Sequence, residues 1–281
     1  MIRVAINGYG RIGRGFHRRV LTCKKTDKQI KVVAINSRSG ADSHAYLLKN
    51  DSLYGRLDAD IKVVGSDLEV NGETVKVFQE SDPANIGWKK LNVDIVIEAT
   101  GKFRRFADAS KHLKAGAKDV VITAPCKDKE VQTLVMGVND KDYDPYKYQV
   151  VSNASCTTNC LAPVMKVLED QFGVENAFVT TIHAFTDTQK LHDNSNPKDF
   201  RRGRATSESI IPTSTGAMKA IGAAIPSLKG KIDGMAMRVP VATVSAVDIV
   251  AKLKKDVTVE QLNKMFQKYE KGKLKGILAT T

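Results

Sequence analysis

The chain has 281 residues, 42% of them hydrophobic and 27% charged, with a formal net charge of +13. That length and apolar content support a sizeable core in about two domains and exclude a disordered polar chain. No charged-then-apolar leader opens the sequence and no run approaches membrane-spanning length, so a soluble, cytoplasmic protein is expected. The four cysteines (Cys23, Cys126, Cys156, Cys160) are sparse and form neither a disulfide framework nor a zinc pattern.

Ile2, Val4 and Ile6 fit a strand, and Ile12, Phe16 and Val20 fit the inner face of a following helix. Between them stands Gly8-x-Gly10-x-x-Gly13, the glycine-rich turn of a dinucleotide fold. The first glycine permits a tight turn, the second lets backbone approach a pyrophosphate, and the third lets helix pack on strand. Backbone N–H groups near Arg11 and Ile12 are expected to hold the pyrophosphate. A second apolar strand ends at Asn36, where ribose recognition is expected. Apolar runs at 61–64, 74–78, 95–99, 120–123, 131–138 and 149–152 then alternate with helical stretches. The alternation predicts an α/β domain with a doubly wound, mostly parallel sheet over residues 1–152, carrying extra hairpin strands between 61 and 78. Trp88, the only tryptophan, is expected to anchor packing beside Leu91 and Val93.

The second half, residues 153–281, reads as an α+β domain with antiparallel strands. Ser155-Cys156-Thr157-Thr158-Asn159-Cys160 stands just before a helical pattern of Leu161, Val164, Met165 and Leu168. Cys156 is therefore expected at a helix N-terminus, where unpaired N–H groups and the macrodipole favour a thiolate. A strand at 177–183 ends at His183, an imidazole able to stabilise that thiolate and shuttle a proton. A polar loop (185–206), a helix (214–225), two closely joined strands (231–239 and 243–254) and an amphipathic helix (259–269) follow. The close connection predicts that those two strands are antiparallel.

Six blocks in register carry a family resemblance: 6–14, 98–103, 152–160, Thr181-Ile182-His183-Ala184-Phe185-Thr186, Ser214-Thr215-Gly216-Ala217 and Met237-Arg238-Val239-Pro240. Together they resemble glyceraldehyde-3-phosphate dehydrogenase of the phosphorylating type. The resemblance implies that Cys156 attacks the aldehyde of glyceraldehyde 3-phosphate and that His183 serves as base. Thr186 and Arg238 match positions that hold the substrate's phosphate, while Ser155, Thr157, Thr215 and Gly216 belong to the anion-binding set that receives inorganic phosphate. Thr100, Gly101, Phe103 and Thr123 are carried over as cofactor-binding positions. Thr186 argues against the erythrose-4-phosphate relatives, and the intact set of reactive residues argues against a non-catalytic binding protein.

NAD-dependent members of the family usually carry an aspartate at the position read as Asn36. The stretch Asn36-Ser37-Arg38-Ser39-Gly40 lacks that charge and offers two hydroxyls and a guanidinium, which suits a 2′-phosphate. Ser195, in place of an NAD-type proline, points the same way, so NADP is favoured over NAD. The family also implies a homotetramer in which the 185–206 loop contacts a neighbouring subunit, with Arg204 and Glu208 able to pair inside it. Family members continue past Thr281 with a strand and a helix, so the chain is read as C-terminally truncated. Basic pairs at Lys24-Lys25, Arg104-Arg105, Arg201-Arg202 and Lys254-Lys255 are scattered and lack aromatic interleaving, and specific nucleic-acid binding is not expected. His17, His44, His112 and His192 match no catalytic position and read as surface or satisfied residues.

Overall fold

A computed structural model describes residues 1–23, 28–197 and 199–281; the basic pair Lys24-Lys25 lies outside the described residues. Residues 1–133 with 143–154 form one compact unit, and 134–142 with 155–281 form a second.

In the first unit, β1 (Ile2–Asn7) passes through the glycine turn into α1 (Arg11–Thr22), followed by β2 (Ile30–Asn36) and α2 (Ala41–Lys49). A small hairpin of β3 (Asn50–Asp51) and β4 (Gly55–Arg56) precedes an antiparallel meander of β5 (Ile61–Val64), β6 (Asp67–Val70) and β7 (Glu73–Phe78). Then come β8 (Ile95–Glu98), short helices α3 (Phe106–Ala109) and α4 (Lys111–Lys114), β9 (Asp119–Ile122), β10 (Gln132–Thr133) and β11 (Val150–Ser152). The sheet order is β10-β11-β9-β8-β1-β2-β7-β6-β5, parallel from β10 to β7. From β1 the chain winds outward through β2, then returns to β8 on β1's other side. That reversal opens a crevice at the carboxyl ends of β1 and β8, the usual ligand position in such sheets.

Period-two alternation explains why both sheet faces are dry. Val4, Ile6 and Val32 pack into one core with Val20 and Leu48; Ala5, Val33 and Val96 pack into another with Ile86, Trp88 and Val93. The apolar run at 131–138 contributes less strand than its composition suggests. Only Gln132–Thr133 pairs with β11, because Val135 N–H is taken by the Asn139 side chain at 2.8 Å and Gly137 turns with φ 75°. Residues 134–142 group with the second unit.

The second unit is built on α5 (Cys156–Phe172), with β12 (Val174–Ala184), β13 (Ile211–Ser214), α6 (Ala217–Ala224), β14 (Ile232–Val239), β15 (Ser245–Leu253) and α7 (Val259–Lys271). Leu161, Met165 and Leu168 form the buried stripe of α5; each such side chain contributes about 1.5–3 kcal/mol on burial. The four-stranded sheet runs β13-β14-β12-β15. The strands β14 and β15 do run in opposite directions, but they are not partners. β12 lies between them, parallel to β14 and antiparallel to β15. Residues 240–244 therefore cross two strand spacings, roughly 9.6 Å, instead of closing a hairpin. α7 starts with a capping box between Thr258 and Gln261 and buries Tyr269 against Val167 and Leu274. No helix among the described residues is long and apolar enough to cross a membrane.

Candidate active site

Cys156 is the first residue of α5, and Ser155 is its N-cap: the Ser155 hydroxyl accepts the Thr158 N–H at 3.0 Å. His183 is the penultimate residue of β12. The Cys156 Sγ to His183 Nε2 distance is 3.2 Å. The hydrogen bond to His183 pulls the Cys156 thiol from its usual 9 down to about 7, with the Thr157 N–H and hydroxyl assisting against burial. The same contact raises His183, working against burial and against the charge of Arg238. Cys156 remains exposed while His183 is buried. The pair thus offers an accessible, readily ionised sulfur backed by a fixed imidazole.

Strand register brings Arg238 to this pair. His183 sits opposite Arg238 on β14 and opposite Ser245 on β15. Arg238 Nη1 donates to Ala184 O at 3.0 Å and lies 2.7 Å from His183 Nδ1, which is itself 2.7 Å from Ala184 O. Arg238 is thereby in contact with the histidine. The other expected anion ligands make local bonds. Thr186 is exposed and shares its hydroxyl with Thr188 at 3.1 Å; the Thr215 hydroxyl accepts Ala217 N–H at 3.2 Å beside Gly216, the N-cap of α6. Thr157 is buried, and the Ser155 hydroxyl also meets that of Thr158 at 2.7 Å.

In the first unit the three glycines of the turn have three different environments. Gly8 has φ 93°, and a Cβ there would lie 2.6 Å from Thr100 N; at Gly13 it would lie 2.2 Å from Gly8 O. At Gly10 a Cβ would meet nothing within 4 Å. The middle glycine leaves an open approach to the N-terminus of α1, which no side chain caps. That open cradle, with backbone donors at Arg11 and Ile12, fits the pyrophosphate of a dinucleotide. The Arg11 guanidinium itself pairs with Asp51, whose carboxyl is held low by the Tyr54 and Leu53 N–H groups and by Arg11 against the cost of burial. Thr100 and Thr123 are both bonded to Glu98, while Gly101 and Phe103 lie at the accessible end of β8.

Asn36 requires a correction. Its side chain is buried and fully committed: Nδ2 donates to Asn7 Oδ1 at 2.7 Å and to Glu80 O at 2.9 Å, and Oδ1 accepts Glu80 N–H at 2.8 Å. Both of its N–H donors are spent, and the amide is 5% exposed, which turns it away from a ribose. The side chains available beyond β2 are half-buried Ser37 and exposed Arg38. Ser195 lies exposed in its loop, with its N–H on Asn194 Oδ1 at 2.7 Å. Arg204 pairs with Asp193 at 2.9 Å and not with Glu208, and the basic pairs are partly neutralised, Arg201 by Asp199 and Arg105 by Asp128.

Sequence reasoning passed over Glu98, His112 and Trp88 as a group, although they form a buried hydrogen-bonded chain beneath Thr100. The available signal was a carboxylate closing the otherwise apolar run Ile95-Val96-Ile97-Glu98.

Two family models match the chain: glyceraldehyde 3-phosphate dehydrogenase, NAD binding domain, over residues 2–106, and the C-terminal domain of the same family over residues 155–281. A glyceraldehyde-3-phosphate dehydrogenase of Geobacillus stearothermophilus is 53% identical over 278 residues, covering 99% of this chain and 81% of that protein. One from Priestia megaterium is 52% identical over 277 residues, with coverages of 99% and 81%. Glyceraldehyde-3-phosphate dehydrogenase 2 of Synechocystis sp. is 48% identical over 281 residues, with coverages of 100% and 82%. Similarity of this extent spans both units, and the chain belongs to the glyceraldehyde-3-phosphate dehydrogenase family of NAD(P)-dependent oxidoreductases.

Proposed function

We propose that this protein catalyses the phosphorylating oxidation of glyceraldehyde 3-phosphate to an acyl phosphate. The observation that carries the reading is the 3.2 Å contact between Cys156 Sγ and His183 Nε2 at an exposed helix N-terminus. The Cys156 thiolate adds to the aldehyde carbon and forms a hemithioacetal, with the Cys156 N–H and the His183 imidazole as donors to the developing oxyanion. His183 Nε2 then takes the hydroxyl proton as the carbon is oxidised to a thioester. When bound, the nicotinamide supplies the hydride acceptor that this oxidation requires. Inorganic phosphate attacks the thioester carbon, and Cys156 leaves as a thiolate stabilised by the His183 imidazolium. Thr186 and Arg238 are assigned to the substrate phosphate, and Ser155, Thr157, Thr215 and Gly216 to the attacking phosphate, because hydroxyl, guanidinium and N–H donors suit phosphate oxygens.

The dinucleotide is assigned to Gly8, Gly10, Arg11, Ile12, Gly13, Thr100, Gly101, Phe103 and Thr123, with Ser37 and Arg38 at the adenosine end. NADP is favoured over NAD, because the stretch after β2 carries hydroxyls and a guanidinium and no carboxylate between Ser37 and Gly40. Ser195 is assigned to the cofactor of a neighbouring subunit in a homotetramer. The test is phosphate-dependent oxidation of glyceraldehyde 3-phosphate, followed with NADP and NAD in parallel. Turnover that requires phosphate and prefers NADP supports the whole reading. A preference for NAD overturns the cofactor assignment alone, and turnover without phosphate overturns the acyl-phosphate step.

A further inference from the structure

A buried polar chain runs from the tryptophan to the turn at Thr100. Trp88 is fully buried, with its ring edge-on to Phe78 at a centroid distance of 5.6 Å. Its indole N–H donates to His112 Nδ1 at 3.0 Å. An indole nitrogen can only donate, so Nδ1 accepts and the ring proton sits on Nε2. Nε2 gives that proton to Glu98 Oε2 at 3.1 Å. Glu98 and His112 are 1% and 0% exposed, too deep to touch a ligand.

Glu98 is the hub. Besides His112 it accepts the Asn7 side-chain amide at 2.5 Å, the Thr100 N–H at 2.9 Å and the Thr100 hydroxyl. Four donors fill the roughly four acceptor positions of a carboxylate. The Thr100 hydroxyl also accepts Lys102 N–H at 3.1 Å, closing a turn around Gly101 at φ 70°. On the other branch Asn7 Oδ1 accepts from Asn36 Nδ2 at 2.7 Å. The hub therefore ties together the residue before Gly8, the residue before Ser37 and the residue before Gly101. The first and last of these turns touch as well, since Thr100 N occupies the space a Cβ of Gly8 would need. Burying a carboxylate costs stability that apolar residues would not, so a network of this kind has to contribute something other than core packing.

We propose that Glu98, His112 and Trp88 are positioning residues that hold the Gly8, Ser37 and Thr100–Gly101 turns in place for the dinucleotide. The inference rests on the dinucleotide reading of those turns. The test titrates the intact protein with oxidised NAD and NADP as separate probes. Affinity is read by calorimetry, and thermal unfolding serves as the folding control.

His112→Leu weakens nucleotide binding by about tenfold, the scale of one hydrogen bond to a charged group. It leaves the KM for glyceraldehyde 3-phosphate unchanged. His112→Gln, which keeps an N–H for Glu98, restores most of the affinity. Wild-type affinity in folded His112→Leu overturns the proposal. Trp88→Phe removes the indole donor together with part of the buried ring, and its affinity is read beside its thermal unfolding; an unchanged Kd in that variant overturns the proposal too, even where His112→Leu fails to fold. If the wild type binds neither nucleotide, the dinucleotide reading itself falls and takes the proposal with it, a result distinct from binding that ignores His112.

Discussion

At the start of α5, two titratable side chains meet at 3.2 Å and shift each other's pKa, whereas at the start of α1 no side chain caps the helix and the groups on offer are backbone N–H. Both sites use a helix N-terminus, where unpaired donors and the macrodipole favour negative charge. They differ in what sits there. In α5 the anion is a thiolate built into the chain, so the reactivity is set by side-chain protonation. In α1 the proposed anion is the pyrophosphate of a dinucleotide, and no side chain caps the helix start in its way. One site is therefore sensitive to pH and to single functional groups, the other to added volume.

The contrast is broken most directly at the sulfur. Cys156→Ser should lower phosphate-dependent oxidation by at least about a thousandfold, since a hydroxyl is a far weaker nucleophile than a thiolate. Nucleotide affinity measured by calorimetry should stay at the wild-type value; a variant that still turned over would remove Cys156 from the mechanism. His183→Gln comes next, with kcat lower by about a hundredfold or more. Its signature is the pH profile of Cys156 alkylation. A thiolate is charged above its pKa, so the wild type loses reactivity as pH falls through about 7. Without the imidazole the pKa returns toward the usual 9, and the loss sets in at higher pH.

Two glycines sharpen the other side. Gly13→Ala places a Cβ 2.2 Å from the Gly8 carbonyl oxygen and should cost about 3 kcal/mol in denaturant unfolding. Gly10→Ala adds its methyl to open space, so stability should change by less than about 1 kcal/mol while nucleotide affinity falls. Equal stability losses in both variants would contradict the open approach at Gly10. A further effect concerns acid. His17 is buried beneath the turn, with Nδ1 2.6 Å from the Tyr9 hydroxyl, and burial lowers its pKa from 6.5 to about 4. Between those values the unfolded chain binds the proton more readily, so stability is full above 6.5 and is lost as pH falls toward 4. By about pH 5 the loss should reach about 2 kcal/mol, and His17→Phe should flatten that slope.

The proposed nucleophile and base were legible because each is announced locally. Cys156 precedes an apolar 3–4 pattern that is buried in α5, and His183 closes an apolar strand. The glycine spacing was equally clear. Asn36 was misread because a sequence marks where β2 ends but not which side chain beyond that end is free. Buried bonds to Asn7 and Glu80 pass the accessible position to Ser37. The short connection between β14 and β15 foretold their opposite directions but not that β12 occupies the place between them. The apolar content of 131–138 likewise concealed a side-chain hydrogen bond from Asn139 that ends the strand early.

Sequence alone determined the family, through six blocks in register that resemble it, and it determined the doubly wound class of the first half and the helix-start position of Cys156, because periodicity and glycine spacing are local properties of the chain. Tertiary structure decided what pairing and burial control. The parallel register of β12 and β14 sets Arg238 against His183, 55 residues apart. The meeting of β1, β2 and β8 turns Glu98 from a charge at a strand end into the hub that joins Asn7, Asn36 and Thr100. Those contacts depend on which strand lies beside which, and no stretch of sequence shorter than the sheet contains that information.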